Sequence, residues 1–271
     1  MEPQKCQDKT TVGQYGGWKK MIYITGDCHA DFRRFNTDIF PEQNEMTKED
    51  YVIICGDFGG VWDKEKESAR EKWWLDWLEA KSYTTLFVDG NHENFDRLYD
   101  YPIEEWHCGK VHKIRSSVIH LMRGQVFEID GKKIFTFGGA RSHDISGGIL
   151  ELDDSNFRAK KKRLDQGYEP YRINHLSWWE REMPSQEEMD EGRRNLEEND
   201  YAVDFIVSHC AASSTAALIS HGKHKPDILT TYFEEIRQRT TFKKWFFGHY
   251  HENMNVNANE ILLYEQIIRI N

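Results

Sequence analysis

Five short apolar segments of the sequence end in residue types that bind metal ions or transfer protons. The first is Met21–Thr25, which runs through Gly26 into Asp27 and, two residues later, His29. A short apolar run closed by glycine is typical of a buried strand. The polar residues that follow the five runs are Asp27, His29, Asp57, Asn91, His92, His209, His249 and His251. Carboxylate and amide oxygens suit Mn²⁺ and Mg²⁺, and imidazole suits Zn²⁺, iron and Ni²⁺, so the set indicates a metal site without selecting the ion.

Each of these residues also has an ordinary structural explanation. His209 alone is more typical of a core histidine with satisfied hydrogen bonds than of a metal ligand, and an Asp-x-His pair recurs by chance. Five of the 12 histidines, however, lie in these short segments. The clustering favours a shared metal site over separate structural roles.

The order of the runs predicts the elements that would bring these residues together. Strands at Tyr51–Cys55 and Thr84–Val88 are separated by a helical pattern over about 67–80. Strands that alternate with helices indicate βαβ units and an α/β fold with a parallel sheet. Parallel strands present their carboxyl ends at one edge of the sheet, so residues from separate segments should converge there.

The middle of the chain has an antiparallel character. Asp130–Gly131 predicts a tight hairpin between strands at 125–129 and 132–137. Spacing typical of a packed helix face predicts which side chains of two helices point into the core. These side chains are Phe32, Phe35, Ile39, Trp73, Trp74, Trp77 and Leu78.

The chain divides into a polar N-terminal extension at 1–19 and a single domain at 20–271. Strand patterns disappear between about 142 and 199, where charge rises, and we interpret this stretch as a cap-like insertion. Ser185 followed by Glu188 forms a capping box, which predicts a helix running to about residue 198.

Composition excludes some classes of protein. The 271 residues carry a net charge of −10, which argues against a general nucleic-acid coat or a membrane-surface protein. No run is apolar enough for a signal peptide or a membrane span. The five cysteines form no C-x-x-C pair and are odd in number, which favours unpaired thiols. We therefore expect a soluble, cytoplasmic protein.

Taken in order, the motifs resemble those of the calcineurin-like metallophosphoesterase superfamily. They are Asp-x-His at 27–29, Gly-Asp at 56–57, Gly-Asn-His-Glu at 90–93, His209, and Gly-His-x-His at 248–251. Two further motifs, Gly138–Asp144 and Ser177–Ser185, are similar to those of a bacterial and phage-type group within it. The resemblance implies a four-layer α/β/β/α sandwich of two mixed sheets flanked by helices.

The resemblance also implies roles for the candidate ligands. Asp27, His29 and His251 correspond to the ligands of one metal. Asn91, His209 and His249 correspond to those of a second metal, and Asp57 to the carboxylate that bridges the two. Two divalent ions are therefore expected, Mn²⁺ foremost, with iron, Zn²⁺ or Ni²⁺ as alternatives.

The activity implied is hydrolysis of a phosphate mono- or diester by attack of a metal-bridging hydroxide. His92 matches a histidine that binds no metal and lies near the leaving group. It could donate a proton to the leaving oxygen. Asp31 or Glu93 could orient its ring, although Glu93 is equally suited to a structural hydrogen bond.

Differences between this sequence and the motifs of known branches of the superfamily reduce the range of expected substrates. Ser/Thr phosphatases of the superfamily carry Gly-Asp-x-x-Asp-Arg-Gly, whereas Gly56–Trp62 has neither that second Asp nor the Arg. We therefore favour a nucleotide or another small phosphoester as substrate. The alternatives are a phosphoprotein phosphatase, a nuclease and a non-catalytic metal-bearing interaction module.

Candidate substrate contacts lie mainly in and beside the insertion. Arg141 could bind a phosphate oxygen, with His143 and Asp144 in the same pocket. The cations at Arg158–Arg163 could attract a polyanion such as a nucleic acid, although a solvated charged face is the more ordinary explanation. Trp178–Trp179 could stack on a base, but anchoring the insertion is favoured. His221 and His224 could touch substrate or be solvated, and no membrane partner is expected.

Overall fold

The computed structural model describes residues 20–270, so the predicted N-terminal extension lies outside the described residues. Two mixed β-sheets form the centre of the molecule. The first has seven strands in the order β15-β1-β2-β3-β6-β5-β4, with β1, β2, β3 and β6 parallel. Its strands are β1 (Ile22–Thr25), β2 (Tyr51–Ile54), β3 (Thr84–Phe87), β4 (Ile103–Trp106), β5 (Gly109–Arg115), β6 (Val118–Leu121) and β15 (Ile268–Ile270).

The second sheet has six strands in the order β13-β14-β12-β11-β8-β7, and its four central strands are parallel. They are β7 (Gln125–Ile129), β8 (Lys132–Phe137), β11 (Phe205–Ser208), β12 (Lys244–Phe247), β13 (Met254–Asn255) and β14 (Glu260–Leu262). The predicted hairpin at Asp130–Gly131 is confirmed, because β7 and β8 pair antiparallel across it.

Three apolar layers hold the sheets and helices together. Side chains such as Ile24, Ile53 and Val207 pack between the two sheets. Residues 20–270 form six α-helices, which are α1 (Ala69–Glu79), α2 (Phe95–Leu98), α3 (Phe157–Gly167), α4 (Gln186–Glu198), α5 (Ser213–Ile219) and α6 (Ile228–Arg239). Helix α1 covers the outer face of the first sheet, and α4, α5 and α6 cover that of the second. Because both faces of the central strands are covered, these strands are mostly apolar and the polar residues they contain are largely small, such as Thr25, Thr85 and Ser208. The four-layer α/β/β/α architecture is as expected.

Two side chains predicted to face the core are exposed instead. Ile39 is 58% exposed, because only one turn of 3₁₀-helix forms at Arg33–Phe35 and the chain has left the helical path by residue 39. Trp73 is also 58% exposed, because α1 buries Leu75 and Leu78 and leaves that indole at the edge of the buried face. Phe32 and Phe35 are buried as predicted.

The segment between the two halves of the second sheet contains a cap and a core helix. Helix α4 begins with the predicted capping box of Ser185 and Glu188, and it buries Met189 and Leu196 in the core. The part before it, residues 142–184, holds α3 and a two-stranded parallel sheet of β9 (Ile149–Leu150) and β10 (Arg172–Ile173). We call residues 142–184 the cap segment.

Trp179 attaches the cap segment to the core, as the anchoring interpretation predicted. Its indole is buried, its Nε1 donates a hydrogen bond to Asp96 at 2.7 Å, and its ring meets that of Trp62 edge-on. The polar strands β4 and β5 were not predicted. They lie at one edge of the first sheet, and β4 carries exposed charged residues that hide a strand pattern.

Among the four cysteines that the structure describes, one differs from expectation. Cys28, Cys55 and Cys210 are free and buried, whereas Cys108 is disulfide-bonded, so the expectation of unpaired thiols is wrong there. The expectation rested on the spacing and the odd number of the cysteines, and neither shows which thiols come together in the folded chain. Among residues 20–270, no helix combines the length and apolar character needed to cross a membrane.

Candidate metal centre

The carboxyl ends of strands from both sheets meet at one place. Asp27 follows β1 and Asp57 follows β2, and these strands are parallel neighbours in the first sheet. His209 follows β11 and His249 follows β12, which are parallel neighbours in the second. The loop after β3 adds Asn91 and His92. The predicted convergence therefore involves the edges of two packed sheets.

One group of ligand atoms surrounds the first two carboxylates. Asp27, His29, Asp57 and His251 each offer one ligand atom, and these atoms all lie within 4.8 Å of one another. The Nε2 atoms of His29 and His251 are 3.0 Å apart. Nε2 of His251 lies 3.3 Å from an Asp27 oxygen, and Nε2 of His29 lies 3.6 Å from an Asp57 oxygen.

A second group lies on the other side of Asp57. Nε2 of the buried His209 is 3.3 Å from Oδ1 of Asp57 and 3.3 Å from Oδ1 of Asn91. The Asn91 amide is oriented by its nitrogen, which donates to Oγ of Ser142 at 3.3 Å and so leaves its oxygen facing the centre. The ring of His249 lies 5.0 Å from that of His209, centroid to centroid.

Backbone amides hold the two carboxylates in place. The N–H of His249 donates to both oxygens of Asp27 at 2.9 and 3.0 Å, and the N–H of His92 donates to Asp57 at 2.8 Å. The chain approaches so closely that a Cβ at Gly248 would overlap the Asp27 carboxylate, and one at Gly90 would overlap that of Asp57. Glycine is therefore required at Gly90 and Gly248 because any side chain there would overlap a carboxylate of the centre.

Four site residues adopt left-handed backbone conformations. The φ values are 46° at His29, 45° at Asp57, 71° at His249 and 52° at His251. Such conformations cost free energy in residues other than glycine and cluster at functional sites. Here they turn the chain sharply after each strand, which directs the side chains into the space between the sheet edges.

The electrostatics of the centre favour positive charge. Burial would raise the pKa of Asp57, but the charge of His209 and a hydrogen bond from it hold that pKa below its usual value. Burial would lower the pKa of His209, yet the negative charges of Asp57 and Asp27 raise it to about 10. Two buried carboxylates therefore stabilise a cation between them.

The residues present fit divalent metal ions. Imidazole nitrogens, carboxylate oxygens and one amide oxygen form two groups that share Asp57, and mixed N/O sets suit Mn²⁺, iron and Zn²⁺. The Nε2 atoms of His29 and His251, 3.0 Å apart, are close enough for both to bind one ion.

His92 lies beside the first group. Its half-buried ring is 5.0 Å from that of His29 and 6.1 Å from that of Trp62. Burial lowers its pKa, and Arg172 of the cap segment contributes to that decrease. Neither proposed orienting residue reaches the ring: Asp31 pairs with Arg33, and Glu93 accepts hydrogen bonds from the backbone amides of residues 58 and 59.

Of the predicted substrate contacts, His143 contacts the metal centre, whereas the others pair with neighbouring residues or are partly or fully exposed. His143 reaches the centre, where its Nε2 lies 3.0 Å from Nε2 of His249. Asp144 pairs with Arg172. Arg141 is exposed and has no hydrogen bond or ion pair among residues 20–270. The cationic run lies on α3, where Lys160 and Lys161 pair with Asp154 and Asp165. His221 is exposed, and His224 is partly buried.

Two clefts that the sequence did not reveal adjoin the centre, and His29 lines both of them. One, of about 310 Å³, is lined by Trp62, Trp74, Phe32, Arg70 and His92. The other, of about 630 Å³, is lined by Arg33, Arg34, Ile39 and Tyr264. Trp62 ends the motif Gly56–Trp62, which also contains Asp57, so its place in the sequence indicated that it could lie near the centre. Arg70 and Tyr264 carry no such signal, because tertiary packing brings them there.

Comparison with known proteins agrees with this geometry. The calcineurin-like phosphoesterase family matches residues 20–253. Lariat debranching enzyme A of Xenopus laevis is 27% identical over 143 residues, which is 48% of this chain and 26% of that protein. Lariat debranching enzyme of Drosophila pseudoobscura pseudoobscura is 26% identical over 144 residues, with the same coverage. The chain thus spans about a quarter of the length of these relatives. It belongs to the calcineurin-like phosphoesterase family, a family of metal-dependent phosphoester hydrolases.

Proposed function

We propose that this protein hydrolyses nucleotide or other small phosphoesters at a dinuclear metal centre. The observation that carries the proposal is the pair of ligand groups that share Asp57. The first group is completed by Asp27, His29 and His251, and the second by Asn91, His209 and His249. This division into two ligand groups is the one that the family resemblance implies, and the short distances around Asp57 support it.

The residues of the centre have distinct tasks. Two bound divalent ions would supply an activated water and neutralise charge on the phosphate. Asp57 and Asp27 are held by backbone amides and keep the ligand groups at fixed positions. His92 is the candidate acid for the leaving oxygen. Burial lowers its pKa in the free protein, and the negative charge of a bound phosphoester would favour its protonated form.

The shape of the surroundings favours a diester over a monoester. A phosphate bound at the centre would lie next to two clefts, both of which include His29. A monoester has one organic arm and would fill one cleft, whereas a diester has two. The indoles of Trp62 and Trp74 line one cleft beside the cation of Arg70, a combination that suits a base with its phosphate.

A nucleic-acid diester is the second candidate substrate. The two relatives are lariat debranching enzymes by name. Arg158, Lys162 and Arg163 on α3 make no ion pair among the described residues and could contact further phosphates. A polyanionic substrate predicts affinity that falls steeply with salt, whereas hydrolysis of a dinucleotide should depend on salt only weakly.

A substrate panel tests the proposal. Protein stripped of metal and reloaded with Mn²⁺ should hydrolyse bis-p-nitrophenyl phosphate faster than p-nitrophenyl phosphate. It should also hydrolyse linear dinucleotides or cyclic nucleotides faster than phosphopeptides. If metal is bound and none of these esters is hydrolysed, the proposed activity is wrong. If phosphopeptides are the best substrates, the phosphoprotein phosphatase alternative replaces it.

A cytoplasmic location is part of the proposal. Three buried free thiols among residues 20–270 support this location, whereas the disulfide at Cys108 is the observation that argues against it, because disulfides are rare in the reducing cytosol. Cell fractionation with antibodies against the protein tests it.

A further inference from the structure

His143 of the cap segment contacts a residue of the metal centre directly. Its Nε2 lies 3.0 Å from Nε2 of His249, although 106 positions separate the two in the chain. The ring centroids are 5.0 Å apart and the planes are tilted by 40°. Between two imidazoles this distance is that of an N–H···N hydrogen bond.

The position of His143 is set by its neighbour Ser142. The Ser142 N–H and hydroxyl both donate to the buried Glu182 carboxylate, at 2.9 and 2.7 Å. The same hydroxyl accepts the hydrogen bond from Asn91. Because Ser142 is fixed from three directions, the next residue is held against the centre by a network that includes a candidate ligand.

His209 shows how such contacts work in this protein. One ring nitrogen, Nδ1, is 2.8 Å from the carbonyl oxygen of Cys55 and must donate to it, so Nε2, which faces Asp57 and Asn91, is the nitrogen available as a metal ligand. A metal-binding histidine commonly donates its second ring nitrogen to such a partner, which fixes the tautomer and the ring orientation.

We propose that His143 plays this part for His249. His143 accepts the Nε2–H of His249 and so leaves Nδ1 of His249 as the nitrogen that binds the second metal ion. His143 is then a positioning residue, supplied by the cap segment, that increases the affinity of the second site. The inference rests on the proposed dinuclear centre and adds to it a residue outside the ligand set.

Metal binding tests this role without reliance on activity. Apo protein is dialysed against increasing Mn²⁺, and bound metal is measured by mass spectrometry. His143→Ala should weaken the second site roughly 10–100-fold and leave the first unchanged. His143→Gln keeps an oxygen that can accept the His249 proton, so it should recover part of the affinity. His175→Ala is the matched control, because this exposed histidine of the same segment pairs with Asp96 instead.

The possible results separate this inference from the proposed function. Two tight sites with equal affinity in the wild type and His143→Ala would overturn the inference alone. A Mn²⁺-loaded crystal structure in which His143 itself binds an ion would also overturn it. Fewer than two bound ions in the wild type would contradict both proposals. Equal thermal unfolding of the apo forms of wild type and variant shows that the variant folds.

Discussion

The Nδ1 atom of His209 donates a hydrogen bond to the carbonyl oxygen of Cys55 at 2.8 Å, so the first sheet orients a side chain that belongs to the second. Cys55 directly follows β2, and His209 directly follows β11. The contact leaves Nε2 of His209 directed at Asp57, two residues beyond Cys55. The candidate metal centre is therefore assembled by the packing of the two sheets.

Asp57→Asn should greatly reduce metal binding. Asp57 lies between both ligand groups, and an amide lacks the negative charge that favours a cation there. Metal content after gel filtration should fall below that of Asp154→Asn, a control that removes a carboxylate from the cap segment. Equal metal content in the two variants would show that Asp57 binds neither ion.

His92→Ala should keep both metals and lose roughly 10²–10⁴-fold in kcat. The loss should be greatest for esters with poor leaving groups, such as dinucleotides, and small for p-nitrophenyl esters, because p-nitrophenolate leaves without a proton. An equal loss for both ester types would argue against proton donation. A loss of metal as large as in Asp57→Asn would make His92 part of the binding site.

Trp62→Ala should raise KM for nucleotide substrates by roughly 5–150-fold, because stacking of a base on an aromatic ring contributes about 1–3 kcal/mol. The KM for bis-p-nitrophenyl phosphate should change less. Trp62→Phe retains an aromatic face and should behave more like the wild type. A uniform change in KM for all substrates would show that Trp62 recognises no base.

Arg123→Met should destabilise the protein by about 3–5 kcal/mol. The Arg123 guanidinium is buried, lies 2.6 Å from the buried Asp89 carboxylate, and also reaches Glu188 of α4. Removal of the cation leaves Asp89 buried without its partner. The free energy of unfolding is measured in urea for both variants. Lys113→Met is the control: it breaks a half-exposed ion pair with Glu104 and should reduce that free energy by about 1 kcal/mol or less.

Stability should fall as the pH decreases from about 6.5 to about 4, in part because of His112. Burial, with the nearby His120, lowers the pKa of His112 to about 4 in the folded protein. In this range the unfolded chain binds a proton that the folded chain does not, so acid favours unfolding. Over pH 7 to 4 the wild type should lose roughly 3 kcal/mol more free energy of unfolding than His112→Phe. Parallel pH profiles would exclude this contribution.

Much of the fold could be predicted because it depends on local patterns. Apolar runs closed by glycine mark the central strands, and the capping box of Ser185 and Glu188 marks the start of α4. The strands β4 and β5 were missed because charged side chains at a sheet edge resemble a loop. The single turn at Arg33–Phe35 was extended too far, which misplaced Ile39.

The sequence by itself determined the identity and order of the candidate ligands, because each follows a strand whose apolar pattern is local. Only the tertiary structure decided that His143 meets His249, that Trp62 and Tyr264 line separate clefts, and that Arg123 pairs with Asp89. These contacts join residues far apart in the chain. They depend on how the sheets and the cap segment pack, and no local periodicity or turn signal encodes that arrangement.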